Sequence, residues 1–357
     1  MSTLASMLAM FLPLFTVMYI ANMTEQRRRQ EEPYQAGIIF TYLLLSLGFA
    51  GVLLIGLALQ AIGYFIAPGL NTPGAGIPDM PTDLGFSLDS LPLLALGLWL
   101  PGLGGLLLLL RPIRLLLARA IPIDPDNPAH TVALTFVMLV LINLMITLGI
   151  GLGNLAALME DGAAATSSES TALGLWGQQI LMALLSFIGV GWLARRSWRE
   201  SVARLSFTVP TLSQALIGVG LGVLMVPLML GASYVASLLG VGVDPDVERL
   251  TEQMIGPLFE SPLIGILTIG LSAALGEELL FRGALQPRFG LIFTSIIFAL
   301  VHSNYGISVS TLIVFVLGLV LGWSRIRYNT STAMIIHAVY NMTLGILTAL
   351  SISFLDF

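Results

Sequence analysis

Ten apolar stretches divide the chain, each separated from the next by a polar segment or one rich in glycine and proline. They fall near residues 4–22, 36–64, 91–110, 132–157, 173–194, 214–240, 262–288, 291–303, 308–324 and 331–352. A helix of about 20 apolar residues spans a hydrocarbon core of roughly 30 Å. The pattern therefore predicts an all-α, polytopic membrane protein with about nine or ten transmembrane segments, the short 291–303 run leaving the count open.

Composition supports a membrane protein and excludes several other classes. Of 357 residues, 56% are hydrophobic and only 10% are charged, whereas about a quarter of the residues in a soluble protein are charged. The chain has no cysteine, which excludes disulfides and thiolate metal sites. The net charge is −5 and no long basic cluster exists, so nucleic acid is not an expected partner.

The basic residues are all arginines, and their distribution predicts the topology. They follow the odd-numbered stretches, whereas the loops at 65–90, 158–172 and 241–260 are acidic or rich in Gly and Pro, with Arg249 as the one departure. Arginine excess marks the cytoplasmic side of a membrane. We therefore expect ten spans in the cell membrane, with both termini outside. The membrane is expected to be a bacterial plasma membrane. The first stretch is expected to be retained, because Arg27–Arg29 follow it instead of preceding it.

Two local patterns predict helix boundaries outside the spans. Asn127 followed by Pro128 is typical of an N-cap with proline at the first helical position. The polar segment 244–260 predicts an interfacial helix on the outer side.

Six ionisable or amide side chains stand out within the last apolar stretches: Glu277, Glu278, Arg282, His302, His337 and Asn341. Such residues are costly in a membrane and usually serve a function. Glu277 lies 288 − 277 = 11 residues from one predicted helix end and His302 lies 302 − 291 = 11 from another, which is roughly 16 Å for both. His337 is 7 residues from Thr330, roughly 10 Å. The spacing predicts a shared level nearer the cytoplasmic side.

Helical spacing pairs these side chains. Glu278 and Arg282 are four residues apart and share a helix face, which leaves Glu277 without a local partner. His302 shares a face with Phe298 in the same way, and His337 with Asn341.

A desolvated carboxylate can take a proton from water, a histidine can position that water or hold a metal, and an amide can donate to an oxyanion. The set therefore suits amide hydrolysis inside the membrane. Other interpretations stay open: a structural Glu278–Arg282 ion pair, an interhelical bond from Asn341, a proton-coupled transporter and a scaffold without enzyme activity.

The runs EELLFR (277–282), FALVH (298–302) and HAVYN (337–341) resemble the EExxxR, FxxxH and HxxxN motifs of the CPBP family, also called Abi or type II CAAX prenyl endopeptidases. The resemblance covers about 260–345, within a peptidase-like region at 251–357, and leaves 1–250 as an N-terminal transmembrane region of unassigned role. It implies an intramembrane endopeptidase with Glu277 as general base. His302 would orient or activate the water.

The resemblance also assigns the other motif residues and the partners. It implies that His337 and Asn341 stabilise the oxyanion, while Glu278 and Arg282 shape the site or grip the substrate. Expected partners are membrane lipid and a peptide or protein substrate, lipidated in the eukaryotic relatives.

The family is described both as metal-dependent and as metal-free. Glu277, His302 and His337 would be the ligands of zinc or another divalent metal, which leaves one position open for water. The chain has no HExxH helix, and we favour direct catalysis by the glutamate.

Overall fold

The computed structural model describes residues 2–66, 90–163, 167–242 and 244–355, which form helices and turns without a β-strand. The predicted all-α architecture is confirmed. In chain order the helices are α1 Ser2–Arg29, α2 Gln35–Ala61, α3 Leu91–Leu108, α4 Arg111–Leu117, α5 Pro128–Ile150, α6 Leu152–Ala163, α7 Ser168–Val190, α8 Trp198–Arg204, α9 Leu212–Leu238, α10 Pro245–Ile255, α11 Pro262–Phe289, α12 Leu291–Leu300, α13 Val309–Arg327 and α14 Thr330–Leu355.

Nine helices of the described ranges are long and apolar enough to cross a membrane: α1, α2, α3, α5, α7, α9, α11, α13 and α14. The exception among the predicted spans is α12, whose ten residues cover only about 15 Å. The predicted segment 291–303 is present as this shorter helix, which ends in a polar turn, so the described ranges contain nine long spans, the lower of the two predicted numbers. The Ser303 hydroxyl in this turn accepts a hydrogen bond from Asn143 Nδ2 of α5 at 2.7 Å. Because this bond gives the Ser303 hydroxyl a partner, the polar turn can lie between the helices of the bundle.

The two ends of α5 show one correct prediction and one error. Asn127 caps its first turn, since Asn127 Oδ1 accepts from the backbone N–H groups of Ala129 and His130. The other end stops at Gly151, whose φ of 85° is a conformation that glycine adopts without strain. The predicted fourth span at 132–157 is therefore two helices, α5 and α6.

The predicted helix in 244–260 is present as α10, followed by a 3₁₀ turn at Gly256–Glu260. α10 packs against α6, and Arg249 pairs with Glu160 across this contact. That pairing accounts for the one arginine outside the predicted distribution. Most of the predicted loop at 65–90 and part of that at 158–172 lie outside the described residues.

Helix α11 lies among the other helices at close range. A Cβ on Gly276 of α11 would lie 2.6 Å from the carbonyl oxygen of Gln179 in α7. On its other side, α9 and α14 approach equally closely, since a Cβ on Gly222 would lie 2.7 Å from Val339 Cβ. Small residues permit this approach between membrane helices. The main apolar cluster joins α5, α9 and α11–α14, so the N-terminal helices form part of the surroundings of the motifs.

The arginines that follow different spans gather at one end of the bundle. Arg204 donates to the carbonyl of Gly283 at 3.1 Å, and Arg325 donates to the carbonyl of Arg282 at 3.1 Å. Arg195 donates to Asn22 Oδ1 at 2.7 Å. This end is called the arginine end below.

Candidate active site

Helix α11 alternates between α-helical and π-helical turns. The π-helical parts are Thr268–Ser272 and Glu278–Leu285, and an α-helical part, Ala273–Glu277, joins them. π-Helical turns are rare in proteins overall, but those that occur are often found at functional sites. The junction falls between the two adjacent glutamates, so Glu277 ends one kind of turn and Glu278 begins the other.

Glu278 is part of a buried charge cluster. Its Oε1 lies 3.2 Å from Arg282 Nη1 and 2.8 Å from His337 Nδ1 of α14. All three residues are at most 3% exposed. The predicted Glu278–Arg282 pair is confirmed, and His337 adds a contact across helices that spacing could not predict. Burial of a charge is tolerated when it is paired in this way.

Phe298 of α12 connects the three motifs. The Arg282 guanidinium lies 3.9 Å from the centre of its ring, a cation–π geometry. The rings of His302 and His337 approach it edgewise, with centroid distances of 5.2 and 6.1 Å. Phe298 is 1% exposed. One aromatic ring thus holds the arginine of the first motif and both histidines in place.

Glu277 faces a different neighbour. Its Oε1 accepts a hydrogen bond from Gln179 Nε2 of α7 at 3.1 Å, and its buried Oε2 has no hydrogen-bond partner among the described residues. The expectation that Glu277 has no partner on its own helix holds, but a neutral amide from another helix binds it. One carboxylate oxygen is therefore oriented while the other stays unengaged.

His302 lies beyond the end of α12, in the polar turn that follows this helix. Its Nδ1 is 2.8 Å from the Phe298 carbonyl oxygen. A carbonyl only accepts, so Nδ1 carries the proton and Nε2 is left for another group. The ring stacks on Tyr305 at 5.7 Å between centroids.

Asn341 lies one turn after His337 on α14. Its Nδ2 donates to the Ile269 carbonyl oxygen in the first π-helical part of α11 at 3.1 Å. The interhelical bond considered as an alternative is therefore present. The second amide hydrogen of Asn341 stays available, because an amide nitrogen carries two.

The described side chains include no group of three or more His, Asp or Glu that could hold a metal ion. Glu278, and not Glu277, contacts His337, so the three ligands expected for zinc do not gather into one site. We derive no step through a metal.

Sequence reasoning missed one residue at the site, Gln179, and the role of another, Phe298. Gln179 lies 98 positions before Glu277, and only its place as a polar residue in an apolar helix could have signalled it. Phe298 belonged to a recognised motif, but an apolar ring carries no obvious chemistry in a sequence.

Comparison with known proteins agrees with these observations. Residues 259–343 match the family model described as type II CAAX prenyl endopeptidase Rce1-like. This segment coincides closely with the predicted core at about 260–345 and contains all three motifs. No curated protein and no solved structure matches the chain. The family match supports, at family level, an intramembrane CAAX-type endopeptidase.

Proposed function

We propose that the chain is an intramembrane endopeptidase in which Glu277 activates water for attack on a peptide bond. The observation that carries the proposal is that the two adjacent glutamates contact different kinds of partner. Glu278 Oε1 contacts the Arg282 guanidinium and His337 Nδ1, whereas Glu277 Oε1 accepts a hydrogen bond from a neutral amide. The second oxygen of each carboxylate is buried and has no hydrogen-bond partner among the described residues, so the two glutamates differ in their pairing with cations. A carboxylate that is not paired with a cation can accept a proton from a bound water molecule, so Glu277 is suited to act as the general base.

In the first step, Glu277 takes a proton from water while the water oxygen bonds to the carbonyl carbon of the substrate. The Gln179 amide orients the carboxylate, and His302 Nε2 accepts from the second water hydrogen. A positioned general base contributes about 10²- to 10⁴-fold to a rate.

The carbonyl oxygen of the substrate becomes negatively charged in this step. The free amide hydrogen of Asn341 can donate to it, and His337 can donate from Nε2 when its ring is protonated. Glu278 holds that ring by Nδ1 and so acts as a positioning residue. When the intermediate collapses, the C–N bond breaks and the proton held by Glu277 passes to the leaving nitrogen.

The site lies in the helices that match the endopeptidase family, so we propose a membrane-associated peptide or protein as substrate, with a CAAX-type C-terminus as the first class to test. The arginine end would face the cytoplasm by the positive-inside rule.

The experiment uses the purified full chain in lipid nanodiscs and an internally quenched peptide with a CAAX-type C-terminus, farnesylated or unmodified. Glu277→Gln is expected to lower kcat by about 10²- to 10⁴-fold. The matched control is Glu260→Gln, the same change at an exposed glutamate just before α11, with activity like that of the wild type.

Two results would contradict the proposal. Full cleavage by Glu277→Gln would remove Glu277 from the mechanism. Proton-coupled uptake into liposomes that depends on Glu277, without cleavage of either peptide, would favour the transporter alternative.

A further inference from the structure

A cavity of about 590 Å³ lies on the side of α11 that does not carry the charge cluster. Its walls come from α1, α5, α7, the segment 195–204, α11 and α12. None of the six motif residues assigned to catalysis lines it. On α11 the cavity is lined by Leu280, Phe281, Ala284, Leu285 and Arg288, so it is a second site with its own chemistry.

The deep part of the cavity is apolar. It is lined by Phe11 and Leu14 of α1, Phe136 and Leu139 of α5, and Ile297 of α12, among others. Leu139 lies 139 − 128 = 11 residues into α5, which is about 16 Å from the helix start. This depth equals about half of a hydrocarbon core of roughly 30 Å, one leaflet of a bilayer. The dimensions and lining suit one or two acyl chains.

The mouth of the cavity, at the arginine end, carries five arginines and one aspartate: Arg29, Arg195, Arg196, Arg204, Arg288 and Asp124. His130 also lines the cavity; with this histidine neutral, the charges at the mouth sum to 5 − 1 = +4. Asp124 is already paired with Arg28, and Arg29 with Glu25. The mouth therefore has a large excess of positive charge.

Three of these arginines are half-buried and have only neutral partners among the described residues. Arg195 donates to Asn22 Oδ1, Arg196 to the Val190 carbonyl and Arg204 to the Gly283 carbonyl. None of the three forms an ion pair within the described ranges. Partial burial of a cation without a carboxylate partner is energetically unfavourable. An anion from outside the protein would therefore stabilise these three arginines.

The electrostatics agree with this geometry. Burial, followed by repulsion from Arg196 and Arg29, lowers the pKa of Arg195 to about 9. Burial, followed by repulsion from Arg288 and Arg196, lowers the pKa of Arg204 to about 10. An anion at the mouth would remove this repulsion.

Arginines at one end of a membrane protein usually lie in the headgroup region and set the topology. That explanation covers exposed residues such as Arg119 and Arg199, which do not line the cavity. It does not explain half-buried arginines that converge on one opening above an apolar pocket. Their planar donors match a phosphate group, which arginine binds with two parallel hydrogen bonds.

We propose that this cavity binds a phospholipid with an anionic headgroup, the phosphate at the arginine mouth and an acyl chain in the apolar pocket. The proposal is independent of the proposed catalytic function, because it uses none of the catalytic residues. A free phosphate ion shares the headgroup chemistry but not the need for the pocket.

The test measures lipid binding by native mass spectrometry on the full chain in a neutral detergent. The probes are phosphatidylglycerol, phosphatidylcholine with the same chains, and inorganic phosphate. We expect phosphatidylglycerol to bind at least tenfold more tightly than phosphatidylcholine, since its net charge complements the mouth. The Glu277→Gln protein should bind the lipid as the wild type does, which separates this result from that of the cleavage assay.

Two variants and one control locate the site. Arg195→Gln/Arg204→Gln should weaken phosphatidylglycerol binding roughly tenfold or more, because each charge-assisted hydrogen bond contributes substantially. Arg119→Gln/Arg199→Gln removes the same charge from exposed positions and should leave binding unchanged. Leu139→Trp should fill the pocket and reduce lipid binding while inorganic phosphate binding is unaffected.

Equal affinity for both lipids, or equal loss in the cavity variant and the control variant, would overturn the proposal. Saturation by inorganic phosphate at concentrations that displace the lipid, with no effect of Leu139→Trp, would show an ion site without a lipid. If Arg195→Gln/Arg204→Gln fails to fold, Leu139→Trp and the comparison of the two lipids on the wild-type protein still decide the outcome.

Discussion

The molecule contains two clusters of charge that differ in how they are neutralised. In the buried cluster, Glu278 contacts both Arg282 and His337, and Phe298 covers the arginine. At the cavity mouth, Arg29 is paired with Glu25, but Arg195, Arg196 and Arg204 have only neutral partners among the described residues. We call the first cluster closed, because its glutamate and arginine pair with each other within the protein. We call the second cluster open, because its half-buried arginines pair with no carboxylate of the described residues.

This difference indicates what each cluster does. A cluster that is closed by its own residues holds helices and side chains in register, which suits the orientation of His337 beside a reacting bond. A cluster that lacks counter-charge is suited to receive an anion from outside. The comparison also separates Glu277, which is near the closed cluster but outside its network of ion pairs.

The largest expected effect comes from opening the closed cluster. Glu278→Gln leaves Arg282 buried without its carboxylate and is expected to destabilise the protein by about 3–5 kcal/mol. Thermal unfolding in detergent measures the loss. The double variant Glu278→Gln/Arg282→Met removes the stranded charge and should recover part of the stability. A single variant as stable as the double would show that the cluster is not held by charge.

A smaller effect is expected at the ring that links the motifs. Phe298→Leu keeps most of the apolar volume but removes the cation–π contact, which costs about 1–2 kcal/mol. We also expect a roughly tenfold loss of peptidase activity, because both histidines lose their neighbour.

Phe289→Leu is the matched control for this variant. Phe289 is equally buried and contacts Phe293 instead of a histidine. Equal activity losses in the two variants would show that Phe298 has no special place in the site.

The smallest effect is a pH dependence of the open cluster. The lowered pKa values of Arg195 and Arg204, about 9 and about 10, mean that the folded state releases these protons at a lower pH than the unfolded state, whose arginines keep their ordinary, higher pKa. Between those values the unfolded state binds more protons, so stability rises with pH. We expect Tm in neutral detergent to increase by about 1–2 °C between pH 8.5 and 10.5.

Two comparisons would sharpen this last prediction. Anionic phospholipid should flatten the pH dependence, since the bound phosphate removes the repulsion. The Arg195→Gln/Arg204→Gln variant should lack the rise, and Arg119→Gln/Arg199→Gln should keep it. A rise of equal size in all three proteins would assign the effect to other groups.

Much of the fold could be predicted because lipid imposes strong local rules. Apolar runs identified the nine long helices, and the spacing in EELLFR identified the Glu278–Arg282 pair. The errors arose where local rules compete with tertiary contacts. An apolar run over 291–303 contains no signal that Asn143 binds Ser303 and holds a turn at that point.

The sequence by itself determined the membrane class, the helical segments and the residue types available for catalysis, because these depend on hydropathy and on spacing within one helix. Only the tertiary structure decided that His337 contacts Glu278, that Gln179 contacts Glu277 and that the arginines converge on one cavity. Those contacts join residues distant in the chain. They depend on how each helix is rotated and how closely its small residues let it approach a neighbour, which no local pattern specifies.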